Sequence, residues 1–242
     1  MTADGCSLRP LARTAGGLYL AIIVLSGFAE AAVRSGLIVP GEPAATADNI
    51  LAAPTLFRLG FLADLAAFQA DAAVAVLLYV LLRPTNGTLA LLAMVFRLLA
   101  HPAIGSLNLL HHLGALLILE DSGPLRALPR AERDQLALFS LDLHGYGYLI
   151  AGAFFAVHCA LLGWLLHGSG RFPRILGILL GASAAGYLFE TCAAVMAPGL
   201  APIARGVVVV TATAGEGALC LYLLIRGVRS TAWGEEAPEG QA

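Results

Sequence analysis

The stretch RLGFLADLAAFQADAAVAVLLYVLLRPTNGTLALLAMVFRLLAHPAIGSLNLLHH, residues 58–112, decides how this chain is read. It predicts two long apolar helices joined at Pro84-Thr85-Asn86-Gly87, a turn-forming sequence. Each run exceeds the roughly 20 residues that a membrane span needs. Asp64 and Asp71 lie inside the first run and Arg97 inside the second, followed by His101, Asn108, His111 and His112. Ionisable side chains at membrane depth are costly, so they are candidate functional residues by default.

The same pattern extends outward to both ends. Apolar runs at 14–33, 55–82, 88–119, 136–166, 174–196 and 202–225 predict six spans. The expected fold is all-α, a polytopic six-helix membrane bundle. It forms one domain over residues 13–228, between polar tails at 1–12 and 229–242. A signal peptide is the rival reading of the first run, because Ala29 and Ala31 form an A-x-A pattern; the run is longer than the roughly 7–15 residues of such a segment. Within the loop from Arg34 to Pro54, Ala44 to Ala53 can form a short interfacial helix. Residues Glu120 to Gln135 read as a charged loop, with Pro124 and Pro129 against one continuous helix.

Composition agrees. The 242 residues are 59% hydrophobic and 12% charged, against roughly a quarter charged in soluble domains, and the mean hydropathy is +0.82. A net charge of -2 without a basic block excludes a nucleic-acid partner and leaves the lipid bilayer as the implied one. Cys6, Cys159, Cys192 and Cys220 form no C-x-x-C pair and read as small buried hydrophobes. With the N-terminus inside, Arg9, Arg13, Arg83, Arg171, Arg174, Arg226 and Arg229 fall inside; Arg34, Arg58, Arg126, Arg130, Arg133 and Arg205 fall outside. That bias favours a cytoplasmic (inner) membrane protein with both termini cytoplasmic.

Several short motifs form a familiar series: Arg13-Thr14-Ala15-Gly16-Gly17-Leu18-Tyr19, Ser35-Gly36-Leu37-Ile38-Val39-Pro40-Gly41, Phe57-Arg58-Leu59-Gly60, His144-Gly145-Tyr146-Gly147 and Pro173-Arg174-Ile175-Leu176-Gly177. In combination, from about Leu11 to Arg229, the chain resembles the bacterial membrane family catalogued as domain of unknown function 4386. The resemblance implies a multi-span membrane protein and carries no activity, cofactor or site with it.

Counting about 1.5 Å per helical residue from the inner ends sorts the polar groups by depth. Asp71 lies about 18 Å from Arg83 and Arg97 about 14 Å from Thr88, so a buried Asp71–Arg97 pair is expected. Glu216 and His158 fall in the same layer, about 15 and 14 Å from their own helix ends. An outer layer holds Glu30, Asp64 and Glu190, at about 25, 28 and 24 Å. Arg58 is a candidate partner for Asp64. This pattern points to a polar intramembrane cavity binding or passing a small solute or protons, with a purely structural charge cluster as the alternative.

The histidines give a second reading. His144 and His158 are fourteen apart on one helix, and His101 and His112 eleven apart on its neighbour. Facing pairs His101–His158 and His112–His144 would suit bis-histidine haem in an electron-transfer protein. The bland alternative puts His111, His112 and His144 at the outer interface and pairs His101 and His158 with Asp71, Arg97 or backbone. No cofactor is expected on the main reading. No G-x-S-x-G, G-x-G-x-x-G or P-loop string occurs, so a non-enzymatic protein is expected. Gly177-x-x-x-Gly181 reads as close helix packing within the monomer.

Overall fold

A computed structural model describes residues 8–120 and 125–228. All the regular elements among these residues are helices. Six helices are long and apolar enough to cross a membrane. The first span, Leu8–Leu37, is built from α1 (Leu8–Phe28), a π-turn (Ala29–Arg34) and the single turn α2 (Ser35–Leu37). A short α3 (Pro43–Ala52) follows, then the second span α4 (Pro54–Leu82). The third span joins α5 (Gly87–Leu98) to α6 (Ser106–Leu119) through a second π-turn, Leu99–Gly105. The last three spans are α7 (Arg130–Gly168), α8 (Arg174–Met196) and α9 (Ala201–Ile225), the last entered through a 3-10 turn.

Local sequence explains most boundaries. The Asn86 side chain accepts from the Leu89 amide at 3.0 Å and caps α5, as its place in the turn suggests. Pro43 starts α3, where a first-turn proline loses nothing. Asn49 on α3 donates to the Leu37 carbonyl at 3.1 Å, closing the open end of the first span. Pro102 lies inside the second π-turn and removes one amide donor from the helical ladder there.

One boundary differs from expectation. Residues 130–135, read as loop, are the start of α7, which runs 39 residues, about 58 Å. Pro129 stands just before the helix rather than within it. The charges have partners: Arg130 pairs with Asp134 one turn on at 2.6 Å, and Arg133 donates to the Leu119 carbonyl at 3.0 Å. Hydropathy scored these residues as solvent-facing, which most of them are, but polarity alone does not stop a helix.

Three apolar clusters stack along the bundle. One end is packed by Ala12, Leu78, Leu81, Leu162, Leu165 and Leu223. The other is packed by Val33, Ile50, Phe57, Leu116, Leu119 and Leu141. A small central cluster holds Ala67, Phe68 and Leu109. Outward-facing Val24, Leu107, Leu110, Ile150, Trp164 and Val210 are exposed, an apolar surface suited to lipid. Gly163 on α7 meets Gly177 on α8 so closely that a Cβ on Gly177 would lie 2.5 Å from the Gly163 carbonyl oxygen. Gly177 thus packs within the chain as its motif suggests, while a Cβ on Gly181 would touch nothing. Arg9 of α1 lies beside Gly227, so the described ends of the first and last spans share one side of the bundle.

Candidate functional site

Arg97 is the centre of the first polar layer. It, Asp71, Tyr19 and His158 are each 1% exposed. Asp71 Oδ1 accepts from Arg97 Nε at 2.9 Å and from Nη2 at 2.5 Å. Arg97 Nη1 lies 3.0 Å from His158 Nε2 and donates to Tyr19 Oη at 3.3 Å. A guanidinium only donates, so His158 Nε2 accepts and His158 Nδ1 donates to the Ala93 carbonyl at 2.8 Å. The guanidinium also faces the rings of Tyr19 and Phe155, at 4.6 and 5.2 Å. Tyr19 passes the hydrogen-bond chain on to Glu216 Oε2 at 3.0 Å, and Tyr187 donates to Glu216 Oε1 at 2.7 Å. His101 Nδ1 stands 3.5 Å from Asp71 Oδ2. All six spans contribute: Tyr19, Asp71, Arg97 with His101, His158, Tyr187 and Glu216, in chain order.

The second layer sits beyond Phe68. Arg34, in the first π-turn, donates to Glu30 at 2.7 Å and to Asp64 at 2.5 Å. Tyr148 donates to the same Asp64 oxygen at 3.0 Å, and Arg34 lies 5.1 Å from its ring. At the bundle surface Arg205 reaches Glu190 at 3.5 Å and Glu30 at 3.9 Å. His112 and His144 complete the layer with their rings 5.6 Å apart. Asn108 and His144 lock the third and fourth spans by reciprocal side-chain-to-carbonyl bonds of 2.8 and 3.0 Å, with the Asn108 amide packed directly on Gly147.

The candidate residues therefore fall into two groups. Asp71, Arg97 and Glu216 share one network, and Glu30, Asp64 and Glu190 are linked through two arginines. Arg58 does not reach Asp64; it pairs with Glu120, because the π-turn brings Arg34 inward instead. His112 and His144, given the outer interface on the bland reading, are 1% and 2% exposed. Arg34, Arg205, Tyr19, Tyr148 and Tyr187 were missed as partners. The spacing of four between Glu30 and Arg34 is a usable signal for one of them.

The His101–His158 pair is poorly placed to hold a haem. His158 has both ring nitrogens engaged, and a guanidinium stands 3.0 Å from Nε2, where an iron would have to bind. Among the described residues no three His, Cys, Asp or Glu side chains are grouped to hold a metal ion.

The family model described as Domain of unknown function (DUF4386) matches residues 14–227. An "Uncharacterized protein" of the archaeon Archaeoglobus fulgidus is 32% identical over 122 residues, half of this chain and 57% of the relative. No solved structure matches the chain.

Proposed function

This chain belongs to the family of unknown function DUF4386, and on that footing we propose that it is a non-enzymatic membrane protein that passes protons through the Arg97 network. The observation that carries the reading is the buried carboxyl of Glu216 held between the hydroxyls of Tyr19 and Tyr187, with Arg97 donating to Tyr19 as a fixed positive charge. Hydroxyl groups that both accept and donate can exchange hydrogens with such a carboxyl. The charges favour the same conclusion. One guanidinium, Arg97, faces two carboxyls, Asp71 and Glu216; Asp71 takes the direct pair, so Glu216 is the acid whose proton can change hands. The small crevice beside His158 is lined mainly by apolar residues such as Leu78, Ala93, Leu162 and Leu165 and is too small for a larger solute. The arginines at the ends of the second, fifth and sixth spans support a cytoplasmic-membrane setting with both termini in the cytoplasm.

The test is proton flux into liposomes carrying the purified protein and an internal pH dye, driven by a potassium gradient with valinomycin. Wild type is expected to acidify the lumen faster than protein-free liposomes. Glu216→Gln keeps the shape and one of the two tyrosine-to-oxygen bonds but removes the exchangeable acid; its flux should fall to the protein-free level. Wild-type flux equal to that of empty liposomes would overturn the proposal.

A further inference from the structure

Three buried polar atoms of the outer layer have no hydrogen-bond partner among the described residues: Asp64 Oδ1, His112 Nδ1 and His144 Nε2. They come from the second, third and fourth spans, and each residue is at most 2% exposed. Their side chains are linked. His112 and His144 rings are 5.6 Å apart, the His144 and Tyr148 rings 5.0 Å apart, and Tyr148 bonds Asp64. The other nitrogen of each imidazole is engaged by a carbonyl: His112 Nε2 by Phe57 at 2.9 Å, His144 Nδ1 by Asn108 at 3.0 Å. A carbonyl only accepts, so those nitrogens carry the ring hydrogens. In neutral rings the two remaining nitrogens are bare acceptors, beside a carboxylate oxygen that is an acceptor too. Buried acceptors without a donor are unfavourable and rare, and an occupant that donates hydrogens removes the penalty.

Charge says which donor. Among the described residues, Glu30, Asp64 and Glu190 face two guanidiniums, Arg205 and an Arg34 that Glu30 and Asp64 share. His111, Tyr148 and Arg34 are the other titratable or charged groups near the imidazoles. The excess is negative, so the missing donor is a cation. The packing says that it is small, since Phe57 stacks on His112 at 3.9 Å and Phe61 lies at 6.4 Å. We infer that Asp64, His112 and His144 form a second intramembrane site for a small hydrogen-donating cation, either a proton carried on water or ammonium. Phe68 separates it from the Arg97 network, with its ring 5.9 Å from His101 and 6.4 Å from Tyr148. Asp64, Phe68 and Asp71 follow one another on one face of α4. As the outer half of one route, the site rests on the proton-transfer reading, but its occupancy is measurable without transport.

The experiment uses full-length protein with 15N-labelled histidine in nanodiscs, with ring signals assigned through His112→Gln and His144→Gln. One arm titrates from about pH 3.5 to 8. The other adds ammonium chloride at fixed pH, against tetramethylammonium chloride at equal ionic strength. The His112 and His144 signals are expected to move together. Movement with pH alone identifies the proton; movement with ammonium but not tetramethylammonium identifies ammonium. Asp64→Asn should weaken the response by about tenfold, and an unchanged response in that variant would overturn the site. So would wild-type signals still in both arms, a result that stands whether or not Asp64→Asn folds. Signals that move in a protein without proton flux would retain this site and refute the transport reading; flux without such movement would do the reverse.

Discussion

Arg97→Leu is expected to destabilise the bundle by about 3–5 kcal/mol, the usual effect of stranding one member of a buried charge pair. The loss is large because the guanidinium serves several spans at once. Without it Asp71 Oδ1 loses two donors, His158 Nε2 and Tyr19 Oη lose theirs, and two aromatic rings lose their cation. Arg97→Lys should recover only part, since an ammonium cannot reproduce the planar fork. Adding Asp71→Asn to Arg97→Leu should recover more, because the uncompensated charge is gone. The measurement is the unfolding midpoint in a denaturing-detergent titration of purified protein. An Arg97→Leu variant within about 1 kcal/mol of wild type would show that Asp71 is hydrated or repartnered.

Gly177→Val is the second large effect, about 3 kcal/mol, at the upper end for overpacking. Its first side-chain carbon would meet the Gly163 carbonyl oxygen at 2.5 Å and the His167 amide nitrogen at 3.0 Å. Both are helix backbone, which cannot swing aside as a long side chain can, so α7 and α8 must separate along their length. Gly181→Ala, with nothing within reach of the added methyl, is the matched control and should change stability by less than about 0.5 kcal/mol. The same titration reads both; equal midpoints would mean that this crossing is not tightly packed.

Much of this arrangement can be read from hydropathy and helical rise. Asp71 and Arg97 lie at similar counted depths in antiparallel neighbours, and they pair. Glu30, Asp64 and Glu190 were placed in one outer layer by the same count, and the arginines between them join that layer. Arg34 escaped because hydropathy ends the first span at Val33 and assigns Arg34 to a loop; the π-turn continues the helix and carries Arg34 inward. Tyr19 and Tyr187 escaped for another reason. A tyrosine inside an apolar run scores as a packing residue, and its hydroxyl matters only once a partner from a distant helix is known. The start of α7 at Arg130 was hidden by prolines that mark its boundary and not its interruption.

The two π-turns bear on inheritance. A π-turn closes its hydrogen-bond ring one residue later than an α-turn, so each holds about one residue beyond a regular helix. That residue turns everything downstream by about 100° relative to an uninterrupted helix. A deletion of a single codon within 29–34 or 99–105 would let the regular helix close. In the third span such a deletion removes only the surplus residue, so Asn108 and His112 would still face α7, and the change would be confined to the turn that carries His101 and Pro102. Among descendants of a common ancestor, a one-residue gap at either place would then leave the polar layers standing, whereas the same gap in a regular part of these spans would turn them off their partners by about 100°.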